Sequence, residues 1–151
     1  MPGKAGHDLN LRQPMDWAAV TAQSGQPDSI LSWCRYLIKA RALYPALRGD
    51  YATLATDLGP TKALACIRTA GEERVVVVAN LTAEPATVVL TDPTAHGVPP
   101  GAAMKPILGD PGANQALAGS TYTATAIPPY GVRIYHATGG TFQGSLHGDR
   151  Q

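Results

Sequence analysis

The chain has 151 residues, 44% of them hydrophobic and 15% charged, enough for one domain with a buried core. Twelve Lys and Arg against eleven Asp and Glu leave a formal charge of +1, which argues against the strongly basic field of a nucleic-acid binder. Apolar runs such as 75–79 fall far short of the roughly 18 residues of a membrane span, so a soluble chain with no nucleic-acid and no membrane partner is expected.

Residues 1–27 are polar, contain Gly and Gln, and show no clear periodicity beyond the cluster Pro14-Met15-Asp16-Trp17; they read as an irregular lead-in. The first ten residues carry no apolar signal region, so a cytoplasmic setting is expected. After Pro27, Asp28 or Ser29 offers a capping oxygen, and Ile30, Leu31, Cys34, Leu37 and Ile38 recur at three- and four-residue spacing, which predicts an amphipathic helix within segment 28–47. It should stop near Leu43 or Tyr44, because Pro45 disfavours helical geometry in the residue before it and removes a donor. Lys39 and Arg41 suit the negative pole of that helix. A lone helix of about 16 residues is marginal in water unless its apolar side is covered. At roughly 1.5 to 3 kcal/mol per side chain, burying the five-residue stripe is worth on the order of 10 kcal/mol before entropy is subtracted. The stripe is therefore expected to dock on the following domain or on a partner. Cys34 and Cys66 match no metal or redox spacing and read as two small buried hydrophobes, with a disulfide expected only in an oxidising compartment.

From 48 to 137 the texture changes to short β-branched segments separated by Gly, Pro, Asp and Asn. Seven strands are predicted, at 51–54, 62–68, 74–79, 87–90, 104–108, 120–124 and 132–136. The Gly-containing connection at 69–73 makes the second and third an antiparallel hairpin. The Val run at 75–78 is apolar on both faces and predicts a central strand covered on both sides. The sequon Asn80-Leu81-Thr82 follows that run and precedes Glu84-Pro85, so it reads as a strand end entering a turn rather than as a glycan acceptor. Pro128-Pro129-Tyr130-Gly131 reads as a rigid turn before the last strand, and 138–151 as a disordered tail. The predicted fold is mainly β: an antiparallel Greek-key β-sandwich preceded by one amphipathic α-helix.

Candidate chemistry is sparse. Retaining sugar hydrolysis needs two carboxyl groups about 5 to 5.5 Å apart, and no pair of that kind is expected. Glu72 and Glu73 are adjacent in a hairpin loop and are expected to face solvent. Asp16, Asp28, Asp50, Asp57, Glu84, Asp92 and Asp110 stand beside turn or cap residues, where a carboxylate bonds backbone. His7, His96, His136 and His147 lack the companions of a metal or triad motif. The glycines of 109–114 lack a Lys-Ser/Thr end and a following helix, so they read as a strand connection. No catalytic residue, cofactor or metal is assigned.

Several segments carry a resemblance. Arg12-Gln13-Pro14-Met15-Asp16-Trp17, the stretch 26–41 from Gln26-Pro27-Asp28-Ser29 to Lys39-Ala40-Arg41, and Tyr44-Pro45-Ala46-Leu47-Arg48-Gly49-Asp50-Tyr51 resemble the C-terminal stretch of the α-amylase family, glycoside hydrolase family thirteen. The likeness is greatest to its α-glucosidase and trehalose synthase-like members. Val76-Val77-Val78-Ala79-Asn80-Leu81-Thr82 and Pro128-Pro129-Tyr130-Gly131-Val132-Arg133-Ile134-Tyr135 resemble the middle and last strands of that family's C-terminal sandwich.

The resemblance spans about residues 12–137 and implies a (β/α)8 catalytic barrel ahead of this region, with 28–44 as the barrel's last helix. The family's nucleophile, acid/base and transition-state-stabilising carboxylates lie upstream of the Arg-x-Pro-Met-x-Trp loop, so none has a counterpart here. That loop lies near the family's sugar pocket, which makes Arg12 a candidate sugar contact. Trp17 and Trp33 are expected to pack rather than to stack on sugars. Cys34 stands where the family often has Tyr.

A chain opening with Met1 just ahead of this loop is expected to be a truncated relative, a gene fragment or half of a split gene. Its expected role is that of a non-catalytic domain covering a barrel that acts on α-glucosidic bonds, with the barrel in cis or on a separate chain and α-glucan as the wider ligand. Ile30, Leu31, Cys34, Leu37 and Ile38 would form the barrel-facing surface. The alternatives are a free-standing glycan-binding module using Tyr51, Tyr122 or Tyr130, and a protein-interaction module using the helix face.

Overall fold

A computed structural model of the chain describes residues 14–53, 63–108, 115–116 and 121–138. Two compact units divide within one helix, between Leu37 and Ile38. Arg12, the 109–114 connection and the tail beyond 138 lie outside the described residues.

The first unit holds α1 (Trp17–Ser24) and the opening turns of α2 (Ile30–Leu43). Helix α1 replaces part of the irregular lead-in expected over 1–27. Its start is fixed by Asp16, whose carboxylate accepts a hydrogen bond from the Ala19 N–H at 3.0 Å, satisfying an amide with no partner inside the helix. The link to α2 is stitched by polar side chains. Ser29 Oγ accepts from the Ser32 N–H at 3.2 Å and donates to the Gln23 carbonyl at 2.7 Å. The Gln23 side-chain oxygen in turn accepts from the Leu31 N–H at 3.1 Å. Of the two caps read from the sequence, Ser29 therefore serves.

The second unit is the sandwich. Its strands are β1 (Asp50–Thr53), β2 (Ala63–Ala70), β3 (Glu73–Asn80), β4 (Ala86–Thr91), β5 (Ala103–Leu108), β6 (Gln115–Ala116), β7 (Thr121–Ile127) and β8 (Val132–Thr138). One sheet has the order β1-β2-β3-β8-β5-β6 and the other is the pair β4-β7, every pairing being antiparallel. All seven predicted strands are present, most of them extended at one or both ends, and the short β6 is added. The β2-β3 hairpin forms as expected, pairing Ala70 with Glu73 across Gly71, which takes φ +54°.

Alternation of side chains along each strand builds the core. Ala63, Ala65 and Ile67 of β2, Val76 and Val78 of β3, and Tyr135 and Ala137 of β8 point to one side of the large sheet. They meet Val88 and Leu90 of β4 and Tyr122, Ala124 and Ile127 of β7. Val75 is also buried, from the opposite face, so β3 is covered on both sides as its four valines predict. Between β3 and β4 the chain leaves the large sheet for the small one, and Asn80 fixes that departure. Its amide donates to the carbonyls of Glu84, Ile127 and Pro128, and its side-chain oxygen accepts from the Thr82 N–H at 2.9 Å and hydroxyl at 2.7 Å. Among the described residues no helix is long and apolar enough to cross a membrane.

Candidate functional site

Two features stand out, and helix α2 enters both. At about 100° per residue, Ile30, Leu31, Cys34, Leu37 and Ile38 share an arc of roughly 120°. Ile30 is 77% and Ile38 68% exposed; Cys34 and Leu37 are exposed as well, and Leu31 is half-buried. The buried residue of α2 is Ala40, which lies off that arc. Four of the five stripe residues are thus exposed, and Leu31 is partly covered. Cys34 departs from the buried thiol expected of it because it sits on this side of the helix. It and Cys66 are both free, and burial pushes the Cys66 thiol up, with Arg68 acting weakly in the opposite direction. Trp17 is exposed, whereas Trp33 packs edge-on against Tyr36 with ring centroids 6.3 Å apart.

The second feature is the junction where α2 passes into the sheet through the 3-10 turn Pro45–Leu47, all of it within the second unit. Tyr44 and Ala46 are buried. The Glu73 carboxylate accepts a hydrogen bond from the Ala46 N–H and lies 3.6 Å from His136 Nε2, and the Tyr44 ring tilts against the His136 ring at 5.4 Å. From the neighbouring strand, Arg68 donates to the Ala46 carbonyl at 3.3 Å and to the Gly49 carbonyl at 2.8 Å. Gly49 is required by a close approach: a Cβ there would fall 1.9 Å from the Thr69 carbonyl oxygen.

Glu73 was expected to be a solvated turn charge beside Glu72. It is instead the first residue of β3, on the same side as Val75, and the tight turn over Gly71 and Glu72 directs it to the junction. Removing its carboxylate in Glu73→Ala orphans the Ala46 N–H and is expected to cost about 1–2 kcal/mol, measurable by urea denaturation.

Burial holds His136 below its usual 6.5; Glu73 opposes this and Lys105, its cross-strand neighbour, reinforces it. The unfolded chain then binds a proton at higher pH than the folded one, so stability is full above about 6.5 and declines as pH falls through the lowered folded value. A falling denaturation midpoint between neutral pH and pH 5, flattened in His136→Gln, is the expected result.

Of the three tyrosines considered for sugar stacking, Tyr122 is excluded because it is buried in the core. The Tyr51 side chain lies outside the described residues, and Tyr130 is exposed. The carboxylates of Asp16 and Asp92 accept from backbone amides near helix or turn starts, as their sequence positions suggest. Among the described residues, no group of three or more His, Cys, Asp or Glu is placed to hold a metal.

No family model and no curated protein matches the sequence. Solved structures do. The trehalulose synthase MutB from Pseudomonas mesoacidophila superposes with a TM-score of 0.56 and 26% identity over 78% of this chain. The chain resembles the C-terminal part of an α-amylase-family enzyme. A MutB mutant in complex with the substrate sucrose gives the same TM-score and identity. A mutant of isomaltulose synthase from Erwinia rhapontici in complex with D-glucose gives 0.53 and 25% over 78% of the chain. This α-amylase-like chain spans only about 19% of the length of those enzymes.

Proposed function

We propose that the chain is the non-catalytic C-terminal sandwich of an α-amylase-family enzyme, covering and stabilising a (β/α)8 barrel that acts on α-glucosidic bonds. The observation that carries this reading is the largely exposed apolar stripe of α2 on a chain matching about a fifth of such enzymes. A run of Ile30, Leu37 and Ile38 left in water gains nothing from burial until another surface arrives. The barrel, in cis or as a separate chain, is that surface on this reading. The Tyr44, Ala46, Arg68 and Glu73 contacts hold the 3-10 turn that follows the helix against the sheet within the second unit. Arg12 is, on the same resemblance, the candidate contact to sugar in the barrel's pocket. Free Cys34 and Cys66 suit a reducing, cytoplasmic setting.

Light scattering after size exclusion tests the reading. The isolated chain is expected to associate as its concentration rises, and Leu37→Asp to return it to monomer with unchanged circular dichroism. Co-expressed with the α-amylase-family barrel encoded in the same genome, the chain is expected to form a one-to-one complex. Leu37→Asp should weaken that complex more than about tenfold, because burying an unpaired carboxylate costs several kcal/mol. A monomer indifferent to the substitution, or an isolated chain that released glucose from maltose unaided, would contradict it.

A further inference from the structure

The small sheet leaves β4 with an edge of its own. Among the described residues β4 pairs with β7 and with no other strand, so alternate residues turn their N–H and C=O away from β7 in an unpaired row. Such an edge accepts another strand unless it is short, bulged, charged or covered. The other edges carry devices of this kind. β6 has two residues and β1 four, the first of them Asp50. β7 is bulged: the step along β4 from Ala86 to Val88 is matched by the longer step along β7 from Ile127 to Ala124, with Ala126 at φ +50°. Arg133 also donates to the β7 carbonyls of Thr125 at 2.7 Å and Ala126 at 3.0 Å. β4 runs six residues without a charge, and its register is regular from Val88 to Thr91.

The sequence of β4 adds a second observation. Around Val89 the chain reads Pro85-Ala86-Thr87-Val88-Val89-Leu90-Thr91-Asp92-Pro93, with a proline four residues out, a threonine two out and a branched aliphatic one out on both sides. Two such strands paired antiparallel about Val89 oppose Thr87 to Thr91, Val88 to Leu90 and Val89 to itself. Buried Val88 and Leu90 then stay on the core side of both copies, and exposed Thr87, Val89 and Thr91 on the other. Asp92 meets Ala86, so like charges are not opposed. Moving the centre by one residue sets Pro85 or Pro93 opposite a threonine of the ladder, where the missing N–H breaks a bond. Moving it by half a residue opposes buried residues to exposed ones.

We infer that β4 is an edge for self-recognition: two copies of this chain pair β4 with β4 about Val89, joining their small sheets into one of order β7-β4-β4-β7 on a two-fold axis. A five-residue ladder falls below the roughly 1,200 Å² of stable interfaces and within the range of weak, transient contacts. The pairing is therefore populated at high local concentration and not in micromolar solution. It uses none of the residues proposed to meet the barrel, and it stands or falls apart from that reading.

Sedimentation equilibrium of the full chain carrying Leu37→Asp, which removes the helix contact, tests the inference from micromolar to millimolar concentration. The average mass is expected to rise toward that of a dimer at the upper end. Val89→Lys and Val89→Glu, each added to that chain, set like charges against each other on the axis and should weaken pairing roughly fivefold or more. Val89 is 45% exposed, so circular dichroism should be unchanged in both. An equal mixture of the two variants opposes Lys to Glu and should restore pairing, which a folding defect in either could not produce. A mass that stays monomeric at millimolar concentration, variants that associate as strongly as the chain with Val89, or a mixture no stronger than its parts would overturn the inference. Growth past the dimer would overturn it too, because a closed two-fold contact stops at two copies.

Discussion

Asn80→Ala is expected to lower the unfolding free energy of the chain by about 3–5 kcal/mol. Asn80 is only 1% exposed, and its amide lies among three carbonyl oxygens drawn from two segments more than forty residues apart in sequence: Glu84 at 2.7 Å, Pro128 at 3.0 Å and Ile127 at 3.2 Å. A buried carbonyl left without a donor costs about 1–3 kcal/mol, a cost that falls fully on the buried Ile127 bond and less on the part-buried Glu84 and Pro128 bonds. Asn80→Asp separates packing from donation. The carboxylate keeps the shape and can still accept from Thr82, yet it sets negative charge against carbonyl oxygens, so its loss should equal or exceed that of Ala. Chemical denaturation monitored by circular dichroism gives both values; a change below about 1 kcal/mol for Asn80→Ala would show that the three bonds do not hold the sheets together. The same geometry closes the sequon, because Asn80 Nδ2 is buried and donating.

The position of Asn80 at a strand end was legible because a valine run stops there and turn residues follow. The seven long strands were legible for a related reason: β-branched segments alternate against a core that takes one face of each. β6 escaped because Gln115 and Ala116 are too few to show a period of two. Helix α1 escaped because its Trp17, Ala18, Ala19 and Val20 form no stripe and none is buried; the Asp16 cap was the available signal. Glu73 departs from the solvated charge that the sequence suggests, since two adjacent acids in a hairpin look alike until the turn length is known. Counting back in twos from Val75 places it on the outer face and was the missed clue. The helix stripe needed only local spacing, so it could be read directly.

Tyr135→Ala is expected to cost about 3–5 kcal/mol, the range of large aromatic truncations in a packed core. Tyr135 lies on the inner side of β8 with no exposed surface, and its ring meets that of Tyr122 from β7 edge-on, with centroids 5.5 Å apart and planes at 71°. The pair therefore bridges the six-stranded and two-stranded sheets directly. An edge-to-face pair contributes about 0.5–1.5 kcal/mol beyond the area its rings bury, so a double-mutant cycle with Tyr122→Ala should return a coupling of that size. Burial pushes the Tyr122 hydroxyl far above the usual phenol range, and the Tyr135 hydroxyl reinforces the effect. If the sandwich is the stable body on which α2 is mounted, Tyr135→Ala lowers the denaturation midpoint of the isolated chain while Leu37→Asp leaves it nearly unchanged. Equal losses from the two substitutions would instead mean that the helix stripe is part of the chain's own core.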